Sequence, residues 1–444
     1  MMRKTLWSIS MLCLLLGPIL AQRNQIEFEK YQLDNGLTVI LHQDNSTPNV
    51  IVSVMYHVGS KNENPERTGF AHFFEHLLFE GSENIGRGEY TSYVQNVGGE
   101  LNANTSFDRT FYYELLPSNQ LALGLWLESE RMLHAKVDDK GIETQRQVVK
   151  EERRERIDNR PYGSILEETF KRAFPEHPYG WGIIGSMEHL AAATEEDYKQ
   201  FYAEFYVPNN AILSIAGDFD KAEAKALIDK YFSTIPPGKG EIHRPEPGSV
   251  FLAKPVRDTI YDNIQLPAVV MAYGIPAQGT EDSYAVEMLS TLLSTGQSSR
   301  LYRKLVDEEQ LALFVGSFPL ALEHPGVSLA FGIANMEVEP AQLEAGIEAE
   351  IAKAQQELIS ETEFQKLRNQ IEAEFITRNG RIAGIAESLA NYEMYYGDAN
   401  LINTELERYM AVTREDIRAA AQKYFTPDNR VVLYYLPKSQ APQP

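Results

Sequence analysis

Two distant stretches of the chain carry the same landmarks in the same order. Thr194-Glu195-Glu196-Asp197 is followed, fourteen residues after its threonine, by Pro208 within Phe205–Asn210. Thr413-Arg414-Glu415-Asp416 is followed at the same distance by Pro427 within Tyr424–Asn429. An apolar, strand-like run comes next in both places. A third pair, Val54–Val58 and Met271–Ile275, keeps nearly the same offset. A chain of 444 residues is long for one domain. The shared register predicts an α+β protein built from two homologous α/β domains. Each would hold a mixed or antiparallel sheet covered by helices. The predicted domains are residues 22–234 and 251–440, with 235–250 as a linker marked by Ile235-Pro236-Pro237-Gly238 and by Pro245 and Pro247.

Between the landmarks, period-2 runs predict strands at Phe28–Leu33, Leu37–His42, Asn49–Val58, Glu100–Phe107 and Thr110–Leu116. Helical periodicity covers Tyr90–Val97, Asn119–Leu133 and Gly141 to about Asp158. Proline and glycine punctuate Arg160–Gly163 and Pro175–Gly185, where loops are expected. The second half repeats the style, with strands near Val256, Ala268, Ala312, Gly326 and Arg430.

The N-terminus reads MMRKTLWSISMLCLLLGPILAQ. Arg3 and Lys4 precede the apolar run Leu6–Leu16, Gly17-Pro18 breaks it, and Ala21 is small. This is the pattern of a secretory signal peptide over residues 1–21, and it implies a secreted or periplasmic mature chain. An uncleaved anchor is the other reading, and the shortness of the run disfavours it. Cys13 is the only cysteine, so the mature chain would hold no thiol and no disulfide. The formal charge of −22 leaves no basic surface for nucleic acid.

The stretch Gly69–Gly81, GFAHFFEHLLFEG, carries chemistry. On a helix, Phe70, Phe73, Phe74, Leu77 and Leu78 form one apolar stripe. His72, Glu75 and His76 fall opposite. Imidazoles four residues apart lie one above the other and can share a metal ion. The segment near Glu287–Leu293, where the second copy would lie, has no such triplet. A third ligand has to come from elsewhere. On the helix from Gly141, Gln145, Val148, Val149 and Glu152 share a face that the valines mark as inward. Glu152 is thus a candidate ligand, while Lys150–Arg156 also reads as an ordinary charged helix surface. Nitrogen and oxygen ligands with an open position favour zinc. Such an ion lowers the pKa of a bound water, with Glu75 placed to take its proton. Metal-assisted hydrolysis of a peptide bond is the expected chemistry.

The triplet His72-Phe73-Phe74-Glu75-His76, with QRQVVKEERR at Gln145–Arg154 and RPYG at Arg160–Gly163, resembles the insulinase and mitochondrial-processing-peptidase family. The resemblance spans about residues 27 to 437 and is nearest to half-length bacterial members. It implies one zinc ion held by His72, His76 and Glu152, Glu75 as general base, and a clamshell of which this chain is half. It also implies that Gly98–Ala103 is a substrate-binding edge strand, with Asn102 and Ala103 meeting the peptide. Two departures stand out. Gln145 occupies a position, seven before the third ligand, where members often carry glutamate. Val306 and Leu313 stand where many members carry an arginine and a tyrosine that hold the substrate carbonyl. A related partner subunit supplying that pair is therefore expected, with a homodimer as the other arrangement. A non-catalytic assembly subunit of the same fold is the alternative function.

Overall fold

The computed structural model describes residues 25–442. The segment read as a signal peptide, with Ala21 and Cys13, lies outside the described residues. No described helix is long and apolar enough to cross a membrane.

Two sheets organise the chain. The first contains β1 (Glu29–Gln32), β2 (Thr38–Gln43), β3 (Asn49–Tyr56), β4 (Glu100–Thr105), β5 (Thr110–Pro117) and β6 (Ala211–Gly217), in the order β1-β2-β6-β3-β5-β4. The second contains β7 (Val256–Asp262), β8 (Ala268–Ile275), β9 (Ala312–Leu320), β10 (Gly326–Ala334) and β11 (Arg430–Pro437), in the order β7-β11-β8-β10-β9. The sheets share one topology. β2 runs parallel to β6 and β7 parallel to β11, and every other pairing is antiparallel. Both sheets are therefore mixed. β1 is the strand of the first sheet without a counterpart in the second.

The first half contributes α1 (Phe70–Leu77), α2 (Glu89–Asn96), α3 (Leu121–Leu133), α4 (Asp139–Arg153), α5 (Ile165–Ala173), α6 (Met187–Ala192), α7 (Glu195–Phe205) and α8 (Lys221–Phe232). The second contributes α9 (Glu281–Ser294), α10 (Pro340–Gln356), α11 (Glu361–Arg378), α12 (Ile382–Tyr396), α13 (Leu401–Ala411) and α14 (Arg414–Tyr424). The repeated landmarks are repeated structure. Thr194 caps α7 and Thr413 caps α14, each in a reciprocal box with the aspartate three residues on. Asn210 Nδ2 donates to Phe205 O, and Asn429 Nδ2 donates to Tyr424 O, both at 2.8 Å. These amides close the turn that feeds β6 and β11.

The halves exchange helices. α12 packs on the first sheet, placing Leu389 and Ala390 against Ile40, Met55 and Phe111. In return α5 sends Phe170 and Ala173 onto the second sheet, against Val270, Val431 and Leu433. Each sheet thus has its own helices on one face and a helix of the other half on the opposite face. That double cover explains why β3 and β6 read as continuous apolar runs and are almost wholly buried. The region read as an exposed linker is largely exposed, and it is tied to the first half at a few points. Asn35 Nδ2 donates to Ile235 O at 2.9 Å, and Arg244 donates to His57 O and to the Asn210 side chain.

Candidate metal centre

α1 is held at both ends before its chemistry begins. Gly69 precedes it with φ of 94°, and a Cβ there would sit 2.4 Å from Ile184 O. Only glycine fits that backbone and that contact. The buried Glu63 carboxylate accepts from the N–H groups of Gly69 (2.7 Å) and Ala71 (2.9 Å). It satisfies donors that the helix itself leaves free. Burial pushes the Glu63 carboxyl up to about 8, against the downward pull of those N–H groups. At the other end, Arg131 Nη1 donates to Leu78 O at 2.9 Å, and Tyr112 OH donates to Phe74 O at 3.0 Å. Phe70, Phe73, Phe74 and Leu77 are buried in the first core, with Phe70 and Phe73 stacked on Tyr198. Sequence reasoning reached the two faces of α1 but missed Glu63 and Arg131. An acid six residues before the helix-opening glycine was the signal available for the first.

His72, Glu75 and His76 share the remaining face, His72 buried and the other two partly open. α4 crosses α1 and brings Glu152 to the same place. His76 Nε2 lies 2.9 Å from Glu152 Oε2, and His72 Nε2 lies 3.6 Å from it. One ligand atom from each of the three residues lies within 4.8 Å of the others. Tetrahedral zinc with bonds of about 2.0–2.1 Å separates its ligands by about 3.3 Å, close to these distances. Oε2 of Glu152 is buried and takes no aligned hydrogen bond, as an atom reserved for a cation would be. Its other oxygen faces Arg156 Nη1 at 3.0 Å. Burial pushes the Glu152 carboxyl up, but the neighbouring His72 and His76 outweigh it and hold the group well below its usual range. The donor set, its spacing and its orphaned oxygen all fit a zinc ion.

The row on α4 that faces α1 differs in one residue from the sequence reading. Val149 is buried, whereas Val148 is 43% exposed. Ile142 takes the inward role, so the row is Ile142, Gln145, Val149 and Glu152. Gln145 Nε2 donates to Glu80 Oε1 at 2.6 Å, and Arg87 Nη1 donates to the other Glu80 oxygen at 2.5 Å. An amide can donate to Glu80, where a second carboxylate would repel it.

β4 is an edge strand, paired with β5 alone among the described residues. Leu101, Ala103 and Thr105 turn towards the first core, while Asn102 and Asn104 face the other way and are exposed. Asn102 Oδ1 accepts from its neighbour's N–H, that of Ala103, at 2.9 Å. Thr105 Oγ1 donates to Glu75 Oε2 at 2.6 Å. In the second half, Leu313 lies on the edge strand β9 and is 55% exposed. Val306 packs against the second core.

His57, His177 and His324 lie far apart in the sequence. The fold brings them together where the halves meet. Lys61 Nζ donates to Asp108 Oδ1 (2.9 Å) and to Glu323 Oε2, and His57 Nε2 lies 2.7 Å from that same Glu323 oxygen. Tyr179 OH donates to Asp108 Oδ1 at 2.6 Å, and His177 Nε2 meets His324 Nδ1 at 3.1 Å.

Known proteins share this fold. A family profile described as insulinase (peptidase family M16) matches residues 38–186, and one described as the peptidase M16 inactive domain matches residues 192–371. A zinc protease of Helicobacter pylori, PqqE, is 31% identical over 94% of each chain. An uncharacterized zinc protease of Bacillus subtilis, YmxG, is 23% identical over 91% of this chain and 97% of its own length. Among solved structures, a protease from Helicobacter pylori superposes with a TM-score of 0.88 at 30% identity, over 93% of this chain and 100% of that one. The periplasmic protease PqqL of Escherichia coli superposes with a TM-score of 0.73 at 19% identity, over 94% of this chain but 49% of PqqL. The chain belongs to the insulinase (M16) family of peptidases.

Proposed function

We propose that the protein is a zinc endopeptidase that hydrolyses small or unfolded peptides. One observation carries the proposal: His72, His76 and Glu152 converge beside an unpaired strand edge, with Glu75 hydrogen-bonded to that strand. Zinc, held by His72, His76 and Glu152, would supply a water of lowered pKa and polarise the scissile carbonyl. Glu75 takes the proton of the attacking water and returns it to the leaving amine. β4 binds the peptide as an added strand through backbone hydrogen bonds. Asn102 covers the Ala103 N–H in the free protein and gives it up to the peptide backbone. Gln145 and Arg87 hold Glu80 neutralised beyond the end of α1.

The carbonyl oxygen needs a donor across from the zinc, and Val306 and Leu313 offer none. A related partner chain would complete the enclosure and supply the donor, whereas a second copy of this one would complete the enclosure without it. The partner is an arginine- and tyrosine-bearing chain of the same fold, which a homodimer would lack. The basic, apolar and small-residue order of 1–21 supports export before assembly, and PqqL, an M16-like neighbour, is described as periplasmic.

The test uses the zinc-loaded protein, alone and with a candidate partner, on quenched fluorescent peptides. Glu75→Gln should remove hydrolysis by at least a hundredfold while zinc still binds. Chelation should abolish activity, and added zinc should restore it. Hydrolysis that survives either treatment contradicts the proposal.

A further inference from the structure

We propose that Thr105 is a positioning residue for Glu75, and that it ties the carboxylate to the strand along which a peptide binds. The inference rests on the reading of Glu75 as the base. Glutamate has three rotatable bonds, and on a partly open face such a side chain samples several rotamers. Here the Thr105 hydroxyl donates to Oε2 at 2.6 Å. One oxygen is thereby fixed, and Oε1 is left to receive a proton. A carboxylate free to turn would present either oxygen, or neither, at the moment of attack.

Thr105 is suited to this by where it stands. It is the last residue of β4, and its register partner is Thr110 of β5. Being β-branched, it has few χ1 choices on a strand. The turn beyond it is closed by Ser106 N–H donating to Arg109 O at 2.8 Å. The N–H groups of Ser60 and Lys61 donate to Ser106 O (3.2 Å) and Phe107 O (3.0 Å). Thr110 Oγ1 donates to Val58 O at 2.9 Å. Asp108, in the same turn, holds Lys61 and Tyr179. The hydroxyl thus projects from a hairpin end bolted to its surroundings. A peptide added to β4 sits in the same rigid frame. The base, carried by α1, and the scissile bond are then both tied to one strand, which narrows the spread of distances between them. Positioning of this kind is worth one to two orders of magnitude in rate.

The experiment compares wild type, Thr105→Val, which keeps the shape and removes the donor, and Thr105→Ser, which keeps the donor. Zinc content and melting temperature are measured for each. In the valine variant kcat should fall about 10- to 100-fold while KM stays within about twofold. Serine should restore most of kcat. A purely structural role would not give that split or that rescue. Crystal structures of wild type and Thr105→Val without substrate supply a second readout. Glu75 should meet Thr105 in the first and be turned away or spread over rotamers in the second. A valine variant with unchanged kcat, or one whose Glu75 keeps its place, overturns the proposal. If wild type with zinc and partner cleaves no peptide, the endopeptidase reading falls, and the two crystal structures alone decide the case of Thr105.

Discussion

At the scale of single residues, the metal face depends on charges that no solvent reaches. Arg131, Glu114 and Glu128 are all buried in the first core. Arg131 lies over the rings of Tyr112 (4.1 Å), Tyr90 (4.5 Å) and Phe79 (4.6 Å). Its Nε sits 3.1 Å from Glu128 Oε2, and its Nη2 sits 3.2 Å from Glu114 Oε1. One cation faces two carboxyls. Burial pushes the Glu114 carboxyl well up, and the Glu128 charge pushes it further. One buried cation balances one carboxylate, so the two acids hold one proton between them, and the raised Glu114 carboxyl is assigned it. Different costs follow for the two ends. Glu114→Gln replaces one neutral group with another and should change stability by less than about 1 kcal/mol. Arg131→Met leaves Glu128 charged in an apolar core and should cost about 3–5 kcal/mol. It also frees Leu78 O at the end of α1, so zinc affinity should fall with stability. Urea midpoints and a competitive zinc titration of the two variants check this. Equal losses for both would contradict the assignment of the proton to Glu114.

At the scale of elements, the least expected helix is α5. Its buried face is Thr169, Phe170 and Ala173, and it lies between stretches rich in proline and glycine. Phe170 stacks on Phe107 at 4.6 Å and meets Phe174 at 5.4 Å while facing the second sheet. Phe170→Ala should cost about 3–5 kcal/mol, because three surfaces lose a shared ring. A melting curve that broadens or splits would show that this contact holds the halves in one cooperative unit. The helix was illegible in sequence because what it packs on lies in the other half, and nine residues give periodicity little to work with. α1 was legible because its own phenylalanines mark the buried face. The repeat was legible because Thr194 with Asp197 and Thr413 with Asp416 are local devices, complete within four residues. Val148 failed for an equally physical reason. Two adjacent valines on a helix point about 100° apart, so both cannot face α1, and the packing of α4 on α1 buries Val149 with Ile142 and leaves Val148 out. Glu152 reaches His72 and His76 because it sits seven residues, two turns, after Gln145 on the row that faces α1.

At the scale of the whole molecule, the halves meet through buried ionisable groups that no sequence window contains. Lys61 and Asp108 come from the first half and Glu323 from the second. Burial pushes the Glu323 carboxyl up, but His57 and Lys61 outweigh it and hold it at about 2. Burial, with His324 beside it, lowers His177 to about 4. Burial, with Lys61 nearby, lowers His324 as well, against the opposing pull of Glu323 and Asp108. Burial lowers His57 too, and Arg244 and Lys61 add to it while Glu323 opposes. An unfolded chain takes up protons on these histidines near pH 6.5, whereas the folded interface refuses them until nearer pH 4 at His177. The unfolded state thus binds more protons across that window, and stability rises with pH through it. Acidification from pH 7.5 to 5 should weaken the junction by on the order of 1 kcal/mol at His177, a figure discounted because the ring is partly open to solvent and screened, with His57 and His324 adding in the same direction. Glu323 adds a second loss in the same direction, below pH 4.5. Urea midpoints at pH 7.5, 6.5, 5.5 and 5.0 measure the slope, and His177→Gln isolates the junction from other histidines. That variant should lose part of the acid sensitivity while keeping its midpoint at pH 7.5 within about 1 kcal/mol. An unchanged slope would place the sensitivity elsewhere in the molecule. A junction that loosens in acid would also let the sheets part without disturbing His72, His76 and Glu152, which all belong to the first half. Zinc should therefore stay bound at pH values where the Phe170 and Lys61 contacts have already begun to open.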